Sequence, residues 1–261
     1  MKLLALGPAG TFSHEAALSL HPDAEITFAA NFDALFESMH KNGGIGLVPL
    51  ENSLHGSVDE VLDLLVQTDV KVWKTTDVAV RHCFGALDAP AVLRVASHPQ
   101  ALSQCRHYLK KHYPTVEHFP VSSTTFAIQL ALKDKTVGAI ASGKAMRDNG
   151  LPVLQENIQR DGNTTRFAFV SKEDPFPESK KTQMSVVLHP KEDRPGLLHD
   201  LLTPFKVYDV NLTKIESRPT GEKIGDYMFF VDFLGTKDNG RVRKVMEEIG
   251  EVADIRILGE W

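Results

Sequence analysis

The sequence predicts a two-lobed α/β region followed by a small α+β domain, and three observations lead there. Up to about residue 171, short apolar runs alternate with helix-period patterns, the mark of parallel sheet covered on both faces. That alternation runs through twice, which reads as two lobes with a cleft between them. Beyond about residue 183 the order becomes βαββαβ, the ferredoxin-like arrangement.

Each element has its own signal. Residues 2–6 read as a buried strand, and Gly7 to Thr11 as a turn, with Ser13 capping a helix that runs to residue 20. A strand at 25–30 leads to Asn31, which caps a helix bearing Leu35, Phe36 and Met39 on one face and stopped by Asn42-Gly43-Gly44. A strand at 45–50 precedes the capping box of Ser57 and Glu60 and a helix with Val61, Leu62 and Leu65. Residues 70–84 read as extended. The second round has strands at 92–97, 115–121, 137–142 and 166–171. Its helices fall at 99–112, from Ser122 or Ser123 to 132, and at 143–149. Residues 172–182, with two prolines and many charges, form a linker. The last domain has a strand at 184–189, a helix opened by Pro195 and kinked by Pro204, strands at 211–217 and 227–234 around a turn at 219–226, a helix at 239–249 and a strand at 252–258. Lobe one is expected over about 1–75 with 155–171, lobe two over about 76–154, and the C-terminal domain over 183–261. The larger region is thus an α/β two-lobed, periplasmic-binding-protein-like fold. The smaller one has edge strands that suit pairing between copies.

Composition narrows the function. The chain has 261 residues, 42% of them hydrophobic, which excludes disorder and a coiled coil. With 29 basic and 34 acidic residues the net charge is −5, against nucleic acid as the main partner. Cys83 and Cys105 lie in no ligand spacing, and the 11 histidines are scattered, so no metal is expected and the thiols are read as reduced and partly buried. The apolar run before Gly7-Pro8 is too short for a signal peptide or a membrane span, and a cytoplasmic setting is expected.

Four segments join strand ends to helix starts or turns, where ligands of α/β folds sit. Gly7-Pro8-Ala9-Gly10-Thr11-Phe12-Ser13 is either an anion site at a helix N-terminus or a tight turn. Glu51-Asn52-Ser53 follows a strand, and is either a cleft-facing polar run, with Glu51 as general acid, or a solvated loop. Ser97 sits at N-cap geometry with Gln104 two turns on, and His98 is a base or a structural residue. Asn163, Thr164, Thr165 and Arg166 form a polar entry to an apolar strand, with Arg166 able to grip a carboxylate or to lie exposed. These residues alone support a cleft for a small anion with an accessory domain.

Taken in order, the segments at 7–17, 48–65, 97–105, 122–124, 138–142, 163–167 and 211–219 resemble prephenate dehydratase with a C-terminal ACT regulatory domain. The resemblance implies loss of CO₂ and water from prephenate to give phenylpyruvate for phenylalanine synthesis, with no cofactor or metal. It places Thr165 at the leaving hydroxyl, Glu51 as the competing proton donor and Arg166 at a substrate carboxylate. Asn52, Ser97 and Gln104 are implied to bind or orient substrate, and Thr11, Ser53, Ser123, Thr124 and Asn163 to line the cleft. In the small domain it implies a phenylalanine site at Gly196, Leu197, Leu198, Asn211, Leu212, Glu216, Ser217, Arg218 and Pro219, formed between paired subunits of a homodimer or homotetramer. Leu197 stands where the family usually has alanine, and is expected to narrow that pocket. Arogenate dehydration and a non-catalytic sensor of small anions or amino acids are the alternatives. No membrane partner is expected.

Overall fold

The computed structural model describes residues 1–221 and 225–261. Part of the turn expected at 219–226 therefore lies outside the described residues. In chain order the elements are β1 (Lys2–Leu6), α1 (Phe12–Leu20), β2 (Glu25–Ala29), α2 (Phe32–Asn42), β3 (Ile45–Asn52), β4 (Gly56–Ser57) and α3 (Asp59–Gln67). Then come β5 (Lys71–Ala79), β6 (Cys83–Gly85), β7 (Arg94–Ser97), α4 (Pro99–Gln104), α5 (Arg106–His112), β8 (Glu117–Pro120), α6 (Thr124–Lys133), β9 (Val137–Ala141), α7 (Gly143–Asp148), β10 (Val153–Gln155) and β11 (Thr164–Ser171). The rest are β12 (Gln183–Pro190), α8 (Leu197–Val207), β13 (Leu212–Pro219), β14 (Tyr227–Leu234), α9 (Gly240–Val252) and β15 (Ala253–Glu260). Among the described residues no helix is long and apolar enough to cross a membrane.

The chain forms two compact units. The first holds Met1–Ser38, Gly44–Leu62 and Thr76–Ala168, and the second Met39–Gly43, Asp63–Thr75 and Phe169–Trp261. In the first unit β1 pairs in parallel with both β2 and β3, and β11 neighbours β3. A second sheet has the order β10-β6-β9-β7-β8, in which β9, β7 and β8 are parallel, β6 runs against them, and β10 in turn runs against β6. Its strands are short, and every residue of the central β9 is buried, as a parallel strand under helices requires. Ala127, Ile128 and Ala131 of α6 pack on it from one side, and Leu102, Cys105 and Leu109 from the other.

In the second unit β13, β14, β12 and β15 form an antiparallel sheet with β13 at its edge. Leu201 and Phe205 of α8 and Val242, Val245 and Ile249 of α9 close its core against Val186, Val231 and Phe233.

The differences from expectation are local. Thr11, not Ser13, caps α1, and its side chain accepts from the His14 amide. The helix expected over 99–112 breaks at Cys105 into α4 and α5. Pro204, expected to kink or shorten the last turn of α8, lies within that turn, and the Tyr208 amide still bonds its carbonyl. Gly196 takes the left-handed conformation (φ 84°) ahead of α8, so that helix starts two residues after Pro195.

Candidate active site

A cavity of about 330 Å³ lies in the first unit, within the range of small-ligand sites. Its wall is made from the ends of β1, β3 and β11 and the starts of α1, α4 and α6. The turn that leads from β1 into α1 is bent at Gly10, whose φ of 84° a side chain would resist. Thr11, Phe12 and Ser13 then reach the cavity at the α1 N-terminus, and Ser123 and Thr124 at that of α6. Both starts present unpaired amides and a positive dipole end. Among the described residues no Asp, Glu, Lys or Arg lines the cavity.

Five buried polar side chains lock together beside it. Asn52 Nδ2 donates to Asn163 Oδ1 (2.8 Å), Thr165 Oγ1 (3.0 Å) and the Thr164 carbonyl (3.2 Å). With two hydrogens for three acceptors, one of these is shared. Asn52 Oδ1 accepts from the Leu54 amide at 3.1 Å. Asn163 Nδ2 donates to Gln104 Oε1 (2.9 Å), which also meets His82 Nε2 at 2.7 Å. Gln104 Nε2 stands 3.2 Å from His55 Nδ1. The hydroxyl oxygen of Thr165 is thus engaged as an acceptor, while its own proton has no acceptor among the described residues.

Of the residues singled out by sequence, Asn52, Gln104, Thr165, Thr11, Ser123 and Thr124 line the cavity, and Asn163 braces them from behind. Four others stand elsewhere. Glu51 and Arg166 each neighbour a cavity residue on a strand, and strand alternation turns them to the opposite face. There Arg166 Nε lies 2.9 Å from Asp77 Oδ1, and its Nη1 lies 3.8 Å from Glu51. Neither Glu51, expected as a proton donor, nor Arg166, expected at a substrate carboxylate, lines this cavity. Ser97 is fully buried and donates to the Ile140 carbonyl at 2.6 Å, tying β7 to β9, while the cap of α4 is His98. Ser53 donates to the Gly162 carbonyl (2.6 Å) and accepts from the Thr164 amide (3.0 Å), stapling two loops.

Sequence reasoning missed His82 as a wall residue; Phe12 and Ser13, read as part of an anion site or a tight turn, and His98, read as a base or a structural residue, also line the cavity. The one available signal for His82 was its position at the break in the long extended stretch at 70–84. Burial lowers its pKa to about 4, with the Gln104 hydrogen bond opposing, so its ring is neutral. Burial likewise lowers the pKa of His98. A wider hollow of about 700 Å³ shares Gly7, Ser122 and Ser123 with the cavity. Its charged groups already have partners: Lys144 pairs with Asp148 at 2.5 Å, and Glu15, its carboxyl pushed up by burial, accepts from Ser142.

The sequence profile of prephenate dehydratase matches residues 3–175. The chain belongs to the prephenate dehydratase family. That of the ACT domain matches residues 192–251. The prephenate dehydratase of Methanocaldococcus jannaschii is 35% identical over 264 residues, covering 97% of this chain and 95% of that protein. The bifunctional chorismate mutase/prephenate dehydratase of Aquifex aeolicus is 38% identical over 273 residues, covering 100% of this chain and 73% of its relative. The crystal structure of prephenate dehydratase in complex with L-Phe from Arthrobacter aurescens superposes with a TM-score of 0.89 at 29% identity, covering 100% of this chain and 89% of that one. As a prephenate dehydratase the chain is a lyase, and its C-terminal part is the ACT domain that the sequence anticipated.

The effector residues expected in the ACT domain are spread over the start of α8, the approach to edge strand β13 and both faces of that strand. Ile215 and Ser217 stand opposite Val231 and Phe229, which face the core. Glu216 and Arg218 lie on the other face, where Glu216 meets Lys214 at 3.4 Å and Arg218 holds Asp63 through two bonds of 2.7 and 3.2 Å. Asn211 and Pro219 are exposed, Gly196 is the left-handed residue before α8, and Leu212 packs partly on the core. Leu197 is buried with Leu201 and Phe205, and Leu198 is the one exposed. The larger side chain at 197 is therefore accommodated in the core of this domain.

Proposed function

We propose that this chain aromatises prephenate in the 330 Å³ cavity, with Thr165 as the group that meets the leaving hydroxyl. The electron pair of the bond to the ring carboxylate moves into the ring as CO₂ departs, and the C4–O bond breaks with its pair going to oxygen. The dianion becomes the phenylpyruvate monoanion, CO₂ and water, so one proton is taken up from solvent. One observation carries the assignment: Asn52 donates to Thr165 Oγ1 at 3.0 Å, which leaves the Thr165 proton for a donor role. A hydroxyl that accepts one hydrogen bond becomes a stronger donor of the next. It assists departure by hydrogen bonding and passes a proton on, rather than ionising on its own. The helix starts at Phe12 and Thr124 supply partial positive charge for the carboxylates.

The neutral lining favours prephenate over arogenate. Arogenate carries an ammonium group, which calls for a carboxylate that the cavity wall lacks among the described residues. Phenylpyruvate formation, followed as its enol absorbance in alkali, tests the assignment. Thr165→Ala is expected to lose at least a hundredfold in kcat, and Thr165→Ser to keep most of it. Full turnover by Thr165→Ala removes Thr165 from the mechanism, and a higher kcat/KM on arogenate overturns the substrate choice. Tight binding of prephenate with no turnover at all favours the sensor reading.

We place phenylalanine control on the ACT domain, with the effector site completed by a second copy aligned along β13 in a homodimer or homotetramer in the cytoplasm. Support comes from the open edge of β13 and from exposed Ile215, Tyr227 and Leu234 on the same pair of strands. Sedimentation of a monomer, or turnover indifferent to phenylalanine, counts against it.

A further inference from the structure

The polarity of the amide chain beside the cavity can be followed outward from backbone groups, which leaves no choice of flip. The Leu54 amide marks Asn52 Oδ1, and the Thr164 carbonyl marks Asn52 Nδ2. Asn52 Nδ2 therefore meets the oxygen of Asn163, and Asn163 turns its Nδ2 to Gln104. Gln104 thus presents Oε1, an acceptor, to His82 Nε2 at 2.7 Å. The hydrogen of the neutral His82 ring must be on Nε2, and Nδ1 carries a lone pair. That Nδ1 is buried and has no hydrogen-bond partner among the described residues. The residue as a whole is 3% exposed and is one of those that line the cavity. Nothing about its setting is loose: Phe12 packs edge-on at 5.1 Å, the His82 amide donates to Gln159 Oε1, and its carbonyl accepts from the Ile158 amide.

A buried acceptor left bare is costly unless a ligand satisfies it. Prephenate has two carboxylates and a keto group, all acceptors, and a single hydrogen-bond donor, the ring hydroxyl. We propose that His82 is a further substrate-contacting residue of this site, whose Nδ1 accepts the hydrogen of that hydroxyl. The inference rests on the dehydratase reading and deepens it. A hydroxyl that donates to Nδ1 keeps its own lone pairs turned elsewhere, open to the proton of Thr165. When the C4–O bond breaks, the hydrogen already on oxygen stays there and the second arrives from the Thr165 side. His82 gains and loses no proton, and Gln104 acts through it as a positioning residue.

Two replacements separate this role from a structural one. His82→Gln keeps a donor within reach of Gln104 and deletes the acceptor at Nδ1, whereas His82→Asn keeps a polar atom near Nδ1 and gives up the tie to Gln104. With folding checked by thermal melting, kcat/KM on prephenate is expected to fall at least tenfold in His82→Gln and less in His82→Asn. The reverse order, or an unchanged His82→Gln, overturns the proposal. A measurement on the native imidazole guards against a variant that does not fold. In the Thr165→Ala protein, the ¹⁵N resonance of His82 Nδ1 is expected to shift with prephenate and not with keto phenylpyruvate, which lacks the hydroxyl. An Nδ1 signal indifferent to prephenate refutes the contact. A wild-type chain inert towards prephenate overturns the dehydratase reading and this one with it. An active wild type matched by His82→Gln sinks the His82 contact alone.

Discussion

Acid should destabilise this protein through His82. In the folded chain burial holds the ring neutral, with a pKa lowered to about 4. In the unfolded chain the same ring titrates near 6.5. Between those values the unfolded chain binds a proton that the folded chain refuses, so stability falls as pH falls. At about 1.4 kcal/mol per pH unit, the loss between pH 7 and pH 4 is about 3 kcal/mol, and below pH 4 it levels off. That is a large part of a typical domain's margin. Other groups move too: burial lowers the pKa of His98 and His14 and raises that of Glu15. They cancel in a comparison of the wild type with His82→Gln, which differ at one titrating site. Urea unfolding at intervals from pH 7 to pH 4 should show the wild type losing about 3 kcal/mol relative to the variant. A difference that stays constant with pH means that His82 titrates normally in the folded state. The sealed, neutral ring on which its tautomer depends would then be wrong.

Three more predictions follow from single contacts. Asn52→Leu removes the donor to Thr165 and strips partners from Asn163 and the Thr164 carbonyl. Urea unfolding should show a loss of about 1–3 kcal/mol, with kcat down roughly a hundredfold. Ser97→Ala should cost about 1 kcal/mol of stability through the lost bond to Ile140 and leave the KM for prephenate unchanged. A hundredfold fall in kcat/KM of the folded variant would return its hydroxyl to the substrate. Gly85→Ala places a methyl 2.7 Å from the Pro152 carbonyl oxygen and 2.8 Å from Met146 Sδ. It should destabilise by about 1–3 kcal/mol in urea unfolding, and a neutral result would mean β10 can move off β6.

How much could be read from the chain alone depended on how local the information was. The alternation of strands and helices, the caps at Asn31 and Ser123 and the βαββαβ order are written in short-range pattern, and they stand where expected. The break of the 99–112 helix at Cys105 is not, because Arg106–His112 has an unremarkable helical composition. Facing was the harder question. Glu51 and Asn52 are neighbours in sequence, as are Thr165 and Arg166, and nothing in the residues says which of each pair looks inward. The pleat decides it, and it put the neutral member inside both times. His82 was illegible for a related reason. Its importance comes from Gln104, 22 residues away, and Asn163, 59 beyond that.

The selection of neutral residues has a physical logic for this reaction. A buried carboxylate beside a dianion would raise the cost of binding, and a buried lysine or arginine would have to be stripped of water before substrate arrived. It would then hold the monoanionic product as well as it held the substrate. Helix starts avoid both problems, since their partial charges are fixed when the chain folds and need no counter-ion. What the chemistry still lacks is direction at one oxygen. Asn52 points the donor by occupying the acceptor side of Thr165, and the same amide chain, read through Asn163 and Gln104, sets which nitrogen of His82 is bare. A single side-chain orientation at position 52 therefore sets the polarity of both groups proposed to meet the leaving hydroxyl. Asn52→Asp should be worse than a loss of one hydrogen bond: it removes the donor to Thr165, adds an anion beside the substrate, and releases the polarity that keeps the His82 lone pair in place.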